Sequence, residues 1–201
     1  MIRLLLAEDQ GMVRGALAAL LELEDDLSVV GQVGRGDEIV DAVCALRPDV
    51  ALLDIELPGL DGIAAAAEVR RRVPATQVLI LTTFGRPGYL RRAMEAGAAG
   101  FLVKDGPAQE LAAVIRRVVA GERIVDPALA ASALTTGENP LTPREQEVLR
   151  QARDGATVTA IAAALHLSEG TVRNYLSSSI GKTATANRIE AARRADDLGW
   201  L

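Results

Sequence analysis

The sequence is 201 residues long, 49 % hydrophobic and carries a formal net charge of −5, enough for one large or two small domains and too apolar for wholesale disorder. No apolar run approaches the roughly 20 residues needed to cross a bilayer, and a single cysteine, Cys44, excludes an intramolecular disulfide and fits a reducing cytoplasm. The negative total argues against indiscriminate nucleic-acid binding, but residues 141–201 hold eight Lys/Arg and seven Asp/Glu, a local +1 that leaves −6 for residues 1–140, so the two ends are built for different partners.

In chain order, an apolar run at residues 2–7 (IRLLLA) predicts a first strand, directly behind Met1 and with no signal-peptide cleavage pattern. Residues 11–24 follow as a helix, with Leu17, Leu20 and Leu21 at helical spacing. Further strands are expected at 28–33, 50–54, 78–82 and 100–103, and further helices at 36–47, 60–73, 87–97 and 107–120. Cys44 falls in the second helix as a small packing residue, and the fifth places Leu111, Val114, Ile115 and Val118 on one face. Five strands, each followed by a helix, imply an α/β domain over residues 1–120: a doubly wound, five-stranded parallel sheet of flavodoxin-like type with helices on both faces.

After Gly121 the pattern breaks, and residues 121–138 read as a linker with turn residues at both ends. Beyond it, residues 139–201 form a small all-α domain. "LTPREQEVL" marks a helix start, with Thr142 as N-cap, Pro143 at the first helical position and Glu145 completing a capping box. Asp154-Gly155 ends that helix, a short helix runs to Leu165, Ser168 caps another to about residue 182, and a last one covers 187–198.

The predicted strand ends carry the chemistry, because ligands of open parallel sheets collect at the carboxyl ends of the strands. The first strand delivers Glu8 and Asp9, the third ends on Asp54, the fourth on Thr82, and the fifth leads to Lys104. Three carboxylates in one place repel one another unless a cation lies between them, and an all-oxygen donor set suits Mg²⁺. Beside that ion Asp54 can attack a phosphoryl group as a carboxylate nucleophile, with Lys104 neutralising the phosphoryl oxygens and the Thr82 hydroxyl hydrogen-bonding one of them. Each residue alone is unremarkable, since Asp is a common turn residue and a lone Lys is usually solvated; the ordered set is what is specific.

That set, with Pro58 behind Asp54, resembles the receiver domain of two-component response regulators over residues 1–120. The resemblance implies that Asp54 is the phosphoacceptor, that Glu8, Asp9, Asp54 and the backbone carbonyl of Glu56 hold Mg²⁺, that Thr82 and Lys104 contact the phosphoryl group, and that Thr82 and Phe101 form the switch pair. Two positions depart from the pattern. Thr83 is larger than the usual residue, and Asp105 replaces a Pro that often follows a cis peptide, so a trans bond is expected here.

"VTAIAAALHLSEGTVRNYLSSSIGK" reads as helix, tight turn, helix, with "TVRN" in the first turns of the second helix, where a recognition helix touches base edges. Thr171, Arg173, Asn174 and Ser177 are the candidate contacts on that helix, joined by the basic residues Lys182 and Arg188. Together with "LTPREQEVL" and "NRIEAA", this stretch resembles the LuxR-type helix-turn-helix module over residues 139–201, with Tyr175 where many members have His. "LTTFGRPGYL", "TVRNYLS" and the terminal "GWL" are similar to regulators of membrane-lipid desaturation.

The resemblances imply a cytoplasmic transcription regulator that a sensor histidine kinase phosphorylates at Asp54 with Mg²⁺, that dimerises when phosphorylated, and that binds double-stranded promoter DNA through the helix at 168–182, with no membrane partner. It is not expected to be an enzyme beyond assisting its own phosphoryl transfer and dephosphorylation. Two other classes stay open at this level. An aspartyl-intermediate phosphatase usually has a second Asp two residues after the nucleophile, where Glu56 stands, and it leaves the helical module unexplained. A receiver serving only as an interaction adaptor would bind no DNA. "SIGKTAT" is no phosphate-binding loop, because Leu176 stands where the motif needs Gly and a helix precedes it. His166 reads as a solvated turn residue and Trp200 as packing for the last helix.

Overall fold

The computed structural model describes residues 1–83, 87–104, 108–127, 129–131, 139–153 and 155–201. Residues 84–86 of "LTTFGRPGYL", Asp105, much of the expected linker (132–138) and Asp154 of the Asp-Gly turn lie outside the described residues. The chain divides into two compact units, with the main boundary between Ala130 and Ala131.

Along the chain to residue 125 the elements are β1 (Ile2–Ala7), α1 (Gly11–Leu21), β2 (Leu27–Val33), α2 (Gly36–Leu46), β3 (Val50–Asp54), α3 (Gly62–Arg72), β4 (Gln77–Thr82), α4 (Pro87–Glu95), β5 (Gly100–Val103), α5 (Ala108–Val119) and β6 (Ile124–Val125). All strand pairs are parallel, in the order β2-β1-β3-β4-β5-β6. The five expected strands are all present, and a short sixth joins them at the β5 edge. It lies in the stretch read as linker, pairs Ile124 with Gly100 and Val125 with Phe101, and at two residues is too short for any periodicity to announce it.

The central strands are apolar on both faces because helices cover both. Leu4 and Leu6 of β1, Val50 and Leu52 of β3, and Leu79 and Leu81 of β4 pack with Ala18 and Leu21 of α1 and with Leu111, Ile115 and Val118 of α5. Alternation turns Leu5, Ala51, Leu53 and Ile80, all fully buried, to the other face. There α2 and α3 contact β1 and β4, burying Ile39, Val43 and Val69. At the far end of α5, the Arg116 guanidinium binds Asp26 through Nε (2.9 Å) and Glu24 through Nη2 (2.7 Å), joining α5 to the α1–β2 turn.

The second unit contains α6 (Pro143–Arg153), α7 (Val158–Leu165), α8 (Glu169–Thr183) and α9 (Arg188–Asp197). Their apolar faces meet in a core that includes Val148, Leu149, Ile161, Val172, Leu176, Ala191, Ala195 and Trp200. The capping box at α6 is formed in both directions, Thr142 N–H to Glu145 Oε2 at 2.7 Å and Glu145 N–H to Thr142 Oγ1 at 3.3 Å. Thr157, Ser168 and Asn187 cap α7, α8 and α9 by accepting backbone N–H bonds. Among the described residues, no helix is long and apolar enough to cross a membrane.

Candidate functional site

Strand order makes neighbours of the chain ends that the sequence marks. Ala7 pairs with Leu53, Asp54 with Leu81 and Thr82 with Val103, so Glu8, Asp54, Thr82 and Lys104 arrive side by side at the carboxyl edge of the sheet. Glu8, Asp54 and Thr82 are buried, at 2 %, 5 % and 2 % exposure, whereas Asp9 is exposed. One carboxylate oxygen from each of Glu8, Asp9 and Asp54 lies within 4.8 Å of the others, a donor set that fits a hard divalent cation.

Lys104 brings positive charge into this cluster. Its ammonium pairs with Glu8 Oε2 and lies 3.0 Å from Asp54 Oδ2. Burial alone would lower the Lys104 pKa, but the acceptors Glu8 and Asp54 outweigh it and hold the group above its ordinary value, so it stays protonated. Asp54 Oδ1 accepts the N–H of Ile55 at 2.8 Å, which fixes the carboxylate with its other oxygen towards Lys104. The Lys104 N–H in turn donates to the Thr82 carbonyl at 2.8 Å, tying two site residues through the main chain.

Backbone packing sets the position of Asp54. Gly62, at the start of α3, lies so close to the Asp54 carbonyl that a Cβ there would collide with its oxygen, so α3 reaches the site only because residue 62 has no side chain. The Glu56 side chain is exposed in the turn after β3, and Phe101 is fully buried on β5 opposite Ile80. Sequence reasoning missed Arg14, whose guanidinium donates to the Glu8 carbonyl at 2.5 Å from the first turn of α1. A lone Arg in a helix carries no sequence signal for such a contact.

In the second unit α7, the turn at His166 and α8 form the expected helix, turn, helix. His166 adopts the left-handed conformation that closes α7, and Ser168 Oγ accepts the N–H of Thr171 at 3.1 Å to start α8. Val172 and Leu176 bury against the core, which leaves Arg173, Asn174 and Ser177 exposed on α8 and Thr171 half-buried. Lys182 is directed elsewhere. Its ammonium donates to Glu145 Oε2 at 2.7 Å, and the Ser178 hydroxyl donates to Glu145 Oε1 at 2.6 Å. Arg188 is the first residue of α9, within the last helix as expected. Two residues that the sequence did not single out complete this face. Glu169 accepts from Arg173 Nη2 at 2.7 Å and from the Thr159 hydroxyl at 2.7 Å; the four-residue spacing from Glu169 to Arg173 was the available signal.

Comparison with known proteins covers both units. The response regulator receiver domain family matches residues 4–116, and the family of bacterial regulatory proteins of luxR type matches residues 139–195. The uncharacterized transcriptional regulatory protein YvfU of Bacillus subtilis (strain 168) is 49 % identical over 201 residues, covering all of both chains. The transcriptional regulatory protein DesR of the same organism is 48 % identical, again over 201 residues and all of both chains. Among solved structures, the response regulator ChrA of a heme-sensing two-component system shares 32 % identity at a TM-score of 0.59, over 100 % of this chain and 98 % of that one.

Proposed function

The chain belongs to the two-component response regulators, transcription regulators that join a receiver domain to a LuxR-type DNA-binding domain, and from that premise we propose that phosphorylation of Asp54 switches its binding to promoter DNA. We assign the receiver to residues 1–120, extended by β6, and the output domain to residues 139–201. The observation that carries the reading is the convergence of Glu8, Asp9 and Asp54 with the Lys104 ammonium beside the buried Thr82.

In this reading a sensor histidine kinase presents a phosphohistidine, and an Asp54 carboxylate oxygen attacks its phosphorus. A P–O bond forms as the P–N bond breaks, with the electron pair leaving on the imidazole. Glu8, Asp9, Asp54 and the Glu56 carbonyl would hold Mg²⁺, which when bound neutralises charge on the phosphoryl oxygens. Lys104 trades its pairing with Asp54 for one with the phosphoryl group, and the Thr82 hydroxyl donates to a phosphoryl oxygen. The inward pull on Thr82 and the buried Phe101 ring constitute the switch. The phosphorylated receivers then pair, and two copies of α8 meet two half-sites through Thr171, Arg173, Asn174 and Ser177. The reading places the protein in the cytoplasm, where promoter DNA lies.

Incubation with Mg²⁺ and a small phosphodonor should give one acid-labile equivalent of phosphate per chain, decaying slowly without repeated turnover. Asp54→Asn and thorough chelation should each abolish the label. Full labelling of Asp54→Asn would sink the assignment, and unchanged labelling after chelation would show that the acidic cluster is not a metal site.

A further inference from the structure

We propose that Glu169, supported by Thr159, sets the sequence preference of the output domain by holding the Arg173 guanidinium in one orientation, so that Arg173 reads a guanine instead of grasping phosphates. This rests on the reading of α8 as the helix that meets the bases. Glu169 is the first residue of α8, one turn before Arg173. Its Oε2 accepts from Arg173 Nη2 at 2.7 Å, and its Oε1 accepts from the hydroxyl of Thr159, on α7, at 2.7 Å. The two oxygens of one carboxylate are thus tied to two different helices, and the guanidinium is fixed by a group that is itself fixed. The Thr159 hydroxyl and the Arg173 guanidinium both hold the Glu169 carboxyl below its ordinary range, so it is ionised at neutral pH.

Neither stability nor affinity accounts for this chain of contacts. The side chains of Arg173 and Glu169 are 62 % and 41 % exposed, and exposed pairs contribute little to folding. A carboxylate on the DNA-facing start of a helix repels phosphates, so it weakens binding to every sequence alike. What it supplies is direction. A guanidinium has five N–H donors in a rigid plane, and reading guanine O6 and N7 takes two of them at a set angle. An untethered Arg satisfies any phosphate within reach. With one N–H given to Glu169, the plane of Arg173 is chosen before DNA arrives.

The test uses the phosphorylated full chain. Its site is recovered from a random-sequence duplex library, and competition titrations then compare that duplex with versions in which each G·C pair is replaced by A·T. Arg173→Ala should erase the preference at one G·C position. Glu169→Gln should lower the preference at that same position by about tenfold or more, while affinity for random-sequence DNA holds or rises. Thr159→Val should act in the same direction but less. In the Arg173→Ala background, Glu169→Gln should change no preference. Fluorescence of Trp200, the single tryptophan and a core residue of the second unit, verifies that each variant is folded. If Arg173→Ala erases the preference and Glu169→Gln leaves it intact, Glu169 is only a favourable acid in a first helical turn, and the inference falls while the role of Arg173 stands. If Arg173→Ala leaves every preference in place, both fall.

Discussion

Lys182 bears on the output core much as Lys104 bears on the acid pocket, since each ammonium sits against a carboxylate nearly out of water. Glu145 is 4 % exposed, and burial alone would raise its pKa from the ordinary 4.5. Lys182, the Ser178 hydroxyl and the Thr142 N–H outweigh burial and bring it down to about 2. With the folded value below the unfolded one, the ionised carboxylate stabilises the fold above the unfolded pKa, and this contribution is lost as pH falls from 4.5 towards 2. A shift of that size corresponds to about 3 kcal/mol. Urea unfolding followed by Trp200 fluorescence should therefore show the wild-type advantage over Glu145→Gln shrinking between pH 5 and pH 3 (about the window of linked protonation). Parallel pH profiles for the two proteins would refute it. Lys182→Met, which leaves the carboxylate buried without its cation, should cost about 2 kcal/mol at neutral pH in the same assay. This role was hidden in the sequence. The capping box already accounts for Glu145, and its second partner lies 37 residues away. Asp54 was legible for the opposite reason, because an apolar strand that stops on an acid is a local pattern.

Helix ends divide into two kinds. At the end of α5, Gly121 takes the left-handed conformation with φ 92°, and at the end of α9, Gly199 does so with φ 65°. At the end of α8 the same place is held by Ala184 with φ 51°, closed by Thr185 N–H to the Ile180 carbonyl and Ala184 N–H to the Gly181 carbonyl. An L-residue with a Cβ is strained there and glycine is not, so Ala184→Gly should raise the stability of the second unit by about 0.5–1 kcal/mol after the extra chain entropy of glycine is counted. An unchanged or lower urea midpoint by Trp200 fluorescence would contradict that strain. The first five strands of the sheet were legible because each is an apolar run with polar punctuation, whereas the two residues of β6 carry no such pattern. Helix ends were less so: α1 stops at Leu21 rather than at residue 24, as the chain turns towards β2 and Leu27 N–H bonds the Glu24 carbonyl. The pairing of Arg173 and Lys182 with acids also makes the basic face of the output domain smaller than a count of basic residues suggests.

For the whole molecule, the −6 borne by residues 1–140 and the +1 borne by residues 141–201 leave DNA affinity little support from net charge. Tight binding is therefore expected to require two copies on half-sites about 10 base pairs apart. Phosphorylation should raise dimer content and DNA affinity together, measured by light scattering and DNA titration on the same full-length samples. Unphosphorylated monomer that binds as tightly would end that expectation. The small β6 bears on how such dimers are studied. Ile124 and Val125 pair with the first half of β5 from outside, so a receiver fragment cut at residue 120 would bare the outward N–H and C=O groups of Gly100 and Phe101 along an open sheet edge. Such edges recruit strands from other molecules, and the fragment would associate whether or not Asp54 carries phosphate. A fragment carried through Ala131 keeps β6 paired to Gly100 and Phe101, so there a phosphate-dependent dimer would report the switch rather than a sheet in search of its missing strand.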